Sequence, residues 1–442
     1  MADSSRKIAY QTLLAAEKST AHAIDELLSE ALQKCSLNPQ EKRWTMELVY
    51  GVTRMKLQID AWIESVYKGR YRKAQHAVKT LLRIGVFQLK YMQTSEYAAI
   101  NETVALCKMV KQAGATGLVN AVLRHIQGID LPTLLASVED EIKKLSIETS
   151  HPEWLLEKWQ ERYTRAELIS LCEHNNLPPK TWLRRNISRI DQAAFETFLE
   201  KENIQFERSS VLDTFYQINS AASLLITHEF REGWFSFQDL AAGLVASIIE
   251  ASAGDVIVDA CAAPGGKMAL MSEITGGQAT IIACDASETR LGKVRQNIER
   301  LGLRQVEVCQ LDASTDLIPV ADKILLDVPC SGTGVLSRRP DARWRRQDSD
   351  TVSLTKIQSS ILNNSWQSLK PGGLMVYATC TLEPEENWEL IDSQIDHLAG
   401  AEIEWIDDEN LKAYIDERGA LATLPWRDSM DGMFAVKIRK SV

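Results

Sequence analysis

The stretch KILLDVPCSGTG, residues 323–334, decides the expected fold. Its apolar residues surround a single acid, Asp327, and the run ends in proline, cysteine and a glycine-rich turn. An apolar run of this length bounded by turn residues is typical of a buried parallel strand. Such a strand would place Asp327, Pro329 and Cys330 at its carboxyl end, where open α/β sheets bind their ligands.

A second segment farther along the chain repeats this plan. Residues 374–380, LMVYATC, form an apolar run that also ends in a cysteine. In a doubly wound sheet these two strands would be neighbours, which would bring the thiols of Cys330 and Cys380 within roughly 10 Å. Two thiols and the carboxylate of Asp327 at adjacent strand ends indicate a reaction centre.

Strands and helices alternate through the C-terminal part of the chain. The expected strands are VIVDA (256–260), TIIACD (280–285), VEVCQLD (306–312), the two segments above, and closing strands at 402–406 and 434–439. Regular alternation with short connections predicts a parallel, doubly wound α/β sheet. We therefore expect one α/β domain over residues 238–442.

The rest of the chain is expected to form two further domains. Residues 1–130 show helical spacing of apolar residues throughout, and the nearly continuous apolar run at 81–89 is typical of a helix buried in a bundle. Residues 131–237 predict a linker followed by a small α/β module, with a strand at 181–186 and a helix at 193–203. The fold class is therefore multidomain: an all-α bundle, a small α/β module and a doubly wound α/β domain.

The net charge of −10 is unevenly distributed along the chain. Residues 1–130 contain 18 Lys and Arg against 12 Asp and Glu, whereas the remainder contains 32 against 48. This asymmetry is either chance or the sign of a basic accessory module joined to an acidic catalytic one. Four basic residues alternate with two tyrosines, as an RNA contact or a solvated helix end would: Tyr67, Lys68, Arg70, Tyr71, Arg72 and Lys73.

Composition and motifs argue against several classes of protein. No apolar run approaches the roughly 18 residues of a membrane span, and the N-terminal MADSSRKIAY lacks the apolar region of a secretory signal. The 8 cysteines show neither CxxC nor CxxH spacing, which disfavours a zinc site and a disulfide framework. We expect a cytoplasmic monomer with free thiols, no metal and no membrane partner.

The loop CAAPGGK follows the first strand of the α/β domain and precedes a helix. Its glycines would let backbone amides approach a ligand closely. Asp285 ends the next strand, where an acid can accept ribose hydroxyls, and Asp312 ends the third strand, where it could meet an adenine. Either acid could instead be a helix cap or a solvated strand end. The fingerprint GxGxxG is absent, so S-adenosylmethionine fits better than a nicotinamide dinucleotide. The loop residues are Cys261, Ala262, Ala263, Pro264, Gly265, Gly266 and Lys267.

Two resemblances sharpen this prediction. The motifs DVPCSGTG, ATC followed by EPEEN, and DACAAPGGK together are similar to those of the RNA cytosine-C5 methyltransferase family. The segments LLRIGVFQLKYMQTSEYAAINETVALCKMV and GLVNAVLRHI resemble the second half of the NusB family of helical RNA-binding proteins. The combination resembles the bacterial 16S rRNA members, which implies a class I methyltransferase (Rossmann-like) fold. It also implies 16S rRNA, free or in an early assembly intermediate, as substrate and cytosine 967 as target.

The resemblance also implies roles for the two cysteines, which residue types alone do not assign. Cys380 would be the nucleophile and Cys330 the helper in product release. A thiolate that adds to C6 of cytosine makes C5 nucleophilic enough to take a methyl group from a sulfonium, and Asp327 near N3 would stabilise the charge that accumulates in the ring. A free thiol has a pKa of roughly 8.5, so the nucleophile needs local activation.

Several alternatives remain open at this point. The same chemistry could act on tRNA or on another rRNA cytosine, or the chain could be a non-catalytic RNA-binding or ribosome-assembly factor. The intact set of Asp327, Cys330 and Cys380 argues against the latter. The segment RRPDARWRR, residues 338–346, either contacts RNA through its arginines and Trp344 or forms a solvated loop with Trp344 in the core.

Overall fold

The computed structural model describes residues 4–18, 22–221 and 223–442, and the chain forms two compact units. The first unit comprises Met1–Pro178 and Leu336–Asp348, and the second comprises Pro179–Val335 and Ser349–Val442. The chain therefore leaves the second unit after Val335 and returns to it at Ser349. The domain boundaries expected at residues 130 and 237 divide the chain differently and stay predictions.

The first unit is built from helices, as the apolar spacing of residues 1–130 predicts. Leu81, Leu82, Ile84 and Val86 have no exposed surface, which confirms the buried helix expected there. The linker expected from residue 131 onward instead begins with two helices, α8 and α9. The helices are α1 (Ser5–Lys18), α2 (Ile24–Lys34), α3 (Pro39–Arg54), α4 (Lys56–Val66), α5 (His76–Lys90), α6 (Glu96–Met109), α7 (Thr116–Gln127), α8 (Leu131–Leu135), α9 (Glu141–Thr149), α10 (Glu153–Gln160) and α11 (Arg165–Asn176).

The second unit begins with a small α/β module. A four-stranded antiparallel sheet has the order β2-β3-β1-β4, and its core is largely aromatic, with Phe195, Tyr216 and Phe235 fully buried. Strand β3 was not anticipated, because four residues give too short an alternation to recognise. The elements are β1 (Thr181–Arg185), α12 (Gln192–Lys201), β2 (Phe206–Arg208), β3 (Phe215–Ile218), α13 (His228–Arg231) and β4 (Phe235–Phe237).

The remainder of the second unit is a doubly wound sheet flanked by helices. Its elements are α14 (Leu240–Ser247), β5 (Val256–Asp259), α15 (Gly266–Ile274), β6 (Thr280–Asp285), α16 (Glu288–Leu301), β7 (Val306–Gln310), β8 (Ala321–Asp327), α18 (Asp350–Ser368), β9 (Leu369–Thr379), α19 (Trp388–Gln394), β10 (Ala401–Glu404), β11 (Leu421–Ala422), α20 (Pro425–Asp428) and β12 (Phe434–Lys440). Helix α17 (Ala342–Arg345) lies in the intervening segment, which belongs to the first unit. The strand order is β10-β12-β9-β8-β5-β6-β7, with β11 paired to β12. Strand β8 lies between β5 and β9, which confirms that the two strands that end near the cysteines are neighbours.

The sheet is not wholly parallel, which corrects one expectation. Strand β12 lies between β9 and β10 and runs antiparallel to both. A parallel connection needs a crossover of a dozen or more residues, usually through a helix. Between β10 and β12 the longest helix in the described chain is α20, so no regular crossover helix precedes β12. In addition, no helix of the described residues is both long and apolar enough to cross a membrane.

The arginine-rich segment packs among helices of the first unit. The Arg343 side chain is 1% exposed, and its guanidinium donates to the carbonyl oxygens of Ser150 (3.1 Å) and Asn175 (3.0 Å) and to Oδ1 of Asn176 (2.9 Å). Both interpretations of this segment were therefore wrong for Arg343, which neither contacts solvent nor is available to RNA. The free-energy cost of burying the charged guanidinium is offset by carbonyl groups at the ends of helices α9 and α11.

Three further bonds fix the same segment in the first unit. The half-buried Trp344 donates its indole N–H to the carbonyl of Thr53 at 2.6 Å. Asp341 accepts from the backbone N–H of Ile24 at 3.1 Å, and the Arg54 guanidinium donates to the carbonyl of Ser337 at 3.0 Å. The segment is thus an integral part of the helical unit, and only some of its arginines, such as Arg339 and Arg345, are exposed.

Candidate active site

The two thiols meet at the carboxyl ends of β8 and β9. These strands are parallel, and Asp327, the last residue of β8, pairs with Ala378. The cysteines that follow each strand therefore emerge side by side, with Cys330 Sγ 3.2 Å from Cys380 Sγ. The backbone N–H of Cys380 also donates to Cys330 Sγ at 3.3 Å. The predicted proximity is confirmed, and the thiols are in direct contact.

The environment of Cys330 favours its protonated form. The hydrogen bond with Cys380, burial, and the charges of Cys380 and Glu386 all raise the pKa of Cys330 well above its ordinary value. Of two thiols in contact, only one can ionise readily, because a second negative charge would be repelled by the first. Cys330 is therefore the member of the pair that retains its proton at neutral pH.

A buried carboxylate, Glu386, holds the segments that carry both cysteines. Its side chain is fully buried. Oε2 accepts from the backbone N–H of Ser331 at 2.9 Å and from Gln358 Nε2 at 2.8 Å, while Oε1 accepts from Thr381 Oγ1 at 3.3 Å. Ser331 and Thr381 directly follow the two cysteines and share a hydrogen bond of 2.6 Å between their hydroxyls. The sequence motif EPEEN contained Glu386, but its role as a shared anchor was not predicted.

An ion pair lies beside the thiols. Lys267 Nζ donates to Asp327 Oδ2 at 2.6 Å. Burial alone would lower the pKa of Lys267, but the charge and hydrogen bond of Asp327, with smaller contributions from Asp259 and Cys380, raise it. The ammonium is thus charged at neutral pH and lies where it interacts favourably with a thiolate at Cys380. Lys267 is therefore a candidate for the local thiol activation that the sequence did not reveal.

Asp259 is a site residue that the sequence prediction missed. It ends β5, immediately before the glycine-rich loop, and is 1% exposed. Burial, followed by the charge of Asp327, raises the pKa of Asp259 to about 7. Its Oδ1 has no hydrogen-bond partner within the described part of the chain. The available signal was its position, since an acid directly before such a loop faces the ligand side of the sheet.

The loop 261–267 is fastened by its neighbours. Gly265 has φ of +103°, which favours glycine, and it precedes the first residue of α15. The backbone N–H of Ala262 donates to the carbonyl of Cys284 at 2.7 Å. From α16, Arg290 donates to the carbonyl of Ala263 (3.1 Å) and Asn297 to that of Pro264 (3.0 Å). The loop is therefore attached by hydrogen bonds to the end of β6 and to α16.

The two acids proposed for the donor differ in their surroundings. Asp285 is 3% exposed; its Oδ1 accepts from the N–H of Ser287 at 2.9 Å, and its Oδ2 has no hydrogen bond among the described residues, although Arg290 Nη2 lies 3.3 Å away. Asp312 is exposed, and its Oδ1 accepts from the N–H and hydroxyl of Ser314, which lower its pKa. The structure thus leaves Asp285 poised for a ligand, whereas Asp312 already caps a turn.

Comparison with known proteins identifies the family. Three family models match successive parts of the chain: the NusB family (3–128), the Methyltr_RsmF/B-like, ferredoxin-like domain (151–224) and the 16S rRNA methyltransferase RsmB/F (246–439). A probable ribosomal RNA small subunit methyltransferase B from Bacillus subtilis is 31% identical, with 98% of each chain covered. The chain belongs to the ribosomal RNA small subunit methyltransferase B family. The predicted family and fold class are confirmed.

A second relative and a solved structure are also similar to this chain. The ribosomal RNA small subunit methyltransferase B of Vibrio cholerae is 32% identical, with 95% of this chain and 94% of the relative covered. The crystal structure of PH0851 superposes with a TM-score of 0.85 over 100% of both chains, at 20% identity, which shows the shared fold.

The ribosomal RNA small subunit methyltransferase B family uses S-adenosylmethionine as methyl donor, as predicted. The residues at the loop fit this molecule. Two buried carboxylate oxygens, Asp259 Oδ1 and Asp285 Oδ2, have no hydrogen bond within the described residues. The ribose hydroxyls and the ammonium group of the donor are hydrogen-bond donors, and the molecule carries no phosphate that these acids would repel.

Proposed function

We propose that this protein methylates C5 of a cytosine in 16S rRNA, with cytosine 967 as the target implied by its sequence resemblance. Relatives over nearly the whole chain are named for methylation of small-subunit rRNA. The observation that carries the proposal is the contact between Cys330 and Cys380, 3.2 Å apart at the ends of neighbouring strands. Such a pair suits a reaction that forms and then breaks a bond between cysteine and the base.

In this proposal Cys380 Sγ adds to C6 of cytosine. The new S–C bond shifts the C5–C6 electron pair toward C5. Lys267 provides a positive charge beside the attacking sulfur. Asp327, to which Lys267 is bonded at 2.6 Å, would face N3 and stabilise the negative charge that accumulates there by delivering a proton, because a bare carboxylate would repel that charge. S-adenosylmethionine, when bound, supplies an electrophilic methyl group for C5.

Product release requires the S–C bond to break. A base removes the C5 proton. The electron pair of the broken C5–H bond re-forms the C5–C6 double bond, and Cys380 leaves as a thiolate. Cys330 retains its proton because burial and Cys380 raise its pKa. At 3.2 Å it can donate that proton to the departing sulfur. This assigns nucleophilic attack to Cys380 and assistance in release to Cys330.

The donor would be held by the loop 261–267 with Asp285, Asp312 and the additional acid Asp259. Asp285 would accept from the ribose hydroxyls through Oδ2, which accepts no hydrogen bond within the described residues although Arg290 lies 3.3 Å away. Asp312 could contribute only through the oxygen that Ser314 does not engage, so we expect it to matter less. The backbone of the loop would contact the methionine part of the donor.

The basic face of the first unit would recruit RNA, either free rRNA or an early assembly intermediate. The side chains of Lys68, Arg70, Arg72 and Lys73 are exposed, as phosphate contacts require. Tyr71 is not available for stacking on a base, because it is 5% exposed and its hydroxyl donates to Asp60 at 2.7 Å. Its ring packs edge-on against Tyr67. This cluster therefore offers exposed positive charge to RNA phosphates, whereas the buried Tyr71 has a structural role in it.

Covalent trapping tests the reaction directly. The full-length protein, Cys380→Ala and Cys330→Ala would each be incubated with 16S rRNA or tRNA, with and without S-adenosylmethionine, and modified cytosines mapped by bisulfite sequencing. We expect C5 methylation of 16S rRNA by the unmodified protein. Cys330→Ala should form an RNA–protein adduct that survives denaturing electrophoresis and depends on the donor, and Cys380→Ala should form none.

The other outcomes are equally informative. An adduct with Cys380→Ala and none with Cys330→Ala would exchange the two roles. Methylation of tRNA instead of 16S rRNA would replace the substrate but keep the chemistry. No methylation of either RNA, with no adduct in any variant, would leave a non-catalytic RNA-binding protein.

A further inference from the structure

The small α/β module contributes one fully buried guanidinium to the doubly wound domain. Arg184 lies in β1 and has no exposed surface. Its Nη1 donates to the carbonyl oxygen of Gly266 at 2.7 Å, and its Nη2 donates to Glu273 Oε1 at 2.7 Å. Nη1 also bonds to the side-chain oxygen of Gln238. Gly266 lies in the loop proposed to bind the donor, so Arg184 connects the module to that loop.

Stability alone does not account for this arrangement. Replacing a buried ion pair by well-packed apolar residues is often neutral or stabilising, so the Arg184–Glu273 pair is weak evidence of a structural role. The distinctive feature is that one planar guanidinium serves a carboxylate and a loop carbonyl at the same time. A lysine ammonium is a single point charge and cannot reproduce this fork.

The module also holds the helix that fastens the loop. Arg300, near the end of α16, donates to the carbonyls of Phe230 and Phe235, both at 2.9 Å, and its guanidinium lies 4.3 Å from the centre of the Phe230 ring. A Cβ on Gly233 would lie 2.2 Å from the carbonyl oxygen of Arg300, so only glycine permits this approach. Asn186 of the module donates to the carbonyl of Leu301 at 3.2 Å.

These contacts converge on the loop from two directions. Helix α16 carries Arg290 and Asn297, which bond to the carbonyls of Ala263 and Pro264. The module thus fixes the end of α16 and, through Arg184, also fixes the first residue of α15. The loop 261–267 is therefore attached to the module directly at Gly266 and, through α16, at Ala263 and Pro264.

We propose that Arg184 is a positioning residue for the methyl donor, through which the small α/β module sets the backbone of the donor loop. The proposal rests on the donor site proposed above. Arg184 touches no reacting atom; it acts through the Gly266 carbonyl. The module, which has its own core and its own sheet, is therefore part of the machinery for donor binding.

A pair of variants separates positioning from stability. Arg184→Lys keeps a positive charge beside Glu273 but offers one nitrogen where the guanidinium uses two, Nη1 for Gly266 and Nη2 for Glu273. Glu273→Gln disturbs the same buried pair and leaves the guanidinium free to bond to Gly266. Affinity for S-adenosylmethionine would be measured by calorimetry in the full-length protein without RNA. We expect the dissociation constant to rise about tenfold for Arg184→Lys, as loss of a charged hydrogen bond implies, and to stay within about twofold for Glu273→Gln.

A second measurement requires no donor. Hydrogen–deuterium exchange of the backbone amides of residues 262–268 should accelerate in Arg184→Lys and remain unchanged in Glu273→Gln. The double variant Arg184→Met with Glu273→Met removes both charges together, so it should fold even if the single lysine variant does not. It lacks the bond to Gly266, and we expect it to show the same loss of donor affinity.

Two results would overturn the proposal. If Arg184→Lys and the double variant bind the donor as tightly as the unmodified protein, Arg184 has a structural role alone. If Glu273→Gln loses donor affinity as strongly as Arg184→Lys, general destabilisation explains the effect. Failure of the donor site itself is recognised separately, because Asp285→Asn would then also leave donor affinity unchanged.

Discussion

The sulfur atoms of Cys330 and Cys380 lie 3.2 Å apart at the ends of neighbouring parallel strands. In the proposed reaction this contact gives two chemically identical groups different roles. The hydrogen bond with Cys380 is the largest cause of the raised pKa of Cys330, and burial and the charges of Cys380 and Glu386 add to it. The protonated partner is suited to donate a proton, and the other thiol, near Lys267, is suited to attack.

Removing Cys380 should therefore lower the pKa of Cys330 toward the ordinary thiol value of about 8.5. A lower pKa means a larger thiolate fraction at any given pH, so alkylation of Cys330 should become faster in Cys380→Ala between about pH 7 and 9. Mass spectrometry of the Cys330 peptide after timed iodoacetamide treatment gives the rate at each pH. Cys35→Ala, in the first unit, is the control and should leave the profile unchanged. An identical profile in Cys380→Ala would show that the contact does not set the ionisation of Cys330.

Glu386→Gln should impair turnover and stability together. The amide has one acceptor oxygen instead of two, so either a bond from Ser331 or Gln358 is lost inside the protein or the bond with Thr381 must reverse its direction. We expect a loss of about 1–3 kcal/mol in the free energy of unfolding, measured by urea denaturation. The catalytic rate should fall while donor affinity is kept, because the donor loop is not attached to this carboxylate. Glu389→Gln changes the same charge at an exposed position and should alter neither; equal effects of the two substitutions would argue against an anchor.

Asp285→Asn should weaken binding of S-adenosylmethionine by about 1.5–3 kcal/mol, the contribution of a hydrogen bond to a charged group. Asparagine can still accept from Ser287 through one oxygen, so the fold around the strand end should persist. Calorimetry on the RNA-free protein measures the affinity, and thermal unfolding checks the fold. Glu288→Gln removes a nearby exposed charge and should leave affinity unchanged. Unaltered affinity in Asp285→Asn would remove this acid from the donor site.

The sequence could predict strands and the residues at their ends, because local patterns of apolar and turn residues determine them. Buried apolar runs ending in turn residues predicted β8 and β9 and the meeting of Cys330 with Cys380, because parallel strands present their carboxyl ends at one edge. The antiparallel direction of β12 was not predictable, since an apolar strand has the same pattern in either direction.

Long-range polar contacts are the part that the sequence did not reveal. Arg184 pairs with Glu273, 89 positions away in the chain, and a strand reading TWLRR suggests an arginine at the surface rather than one with no exposure. The burial of Arg343 was not predicted for a similar reason. Four other arginines surround it, and composition does not show which one is enclosed. Only the packing of whole elements decides which charged side chains lose contact with water.

The arginines of residues 338–346 should separate into structural and RNA-binding members. Burial and the like charge of Arg54 lower the pKa of Arg343 to about 9, which leaves it charged at neutral pH. Arg343→Met would leave the carbonyls of Ser150 and Asn175 without this donor. We expect a loss of about 2–4 kcal/mol of stability, measured by urea denaturation, and no change in the salt dependence of RNA binding.

Arg339→Gln provides the matched comparison, because this residue is exposed in the same segment. If it contacts a phosphate, the slope of the logarithm of rRNA affinity against that of salt concentration should fall by about 1, with no change in unfolding. Filter binding at several salt concentrations measures the slope. A reduced slope with Arg343→Met at full stability would contradict its assignment as a structural residue. An unchanged slope with Arg339→Gln would instead remove that arginine from the RNA-binding surface.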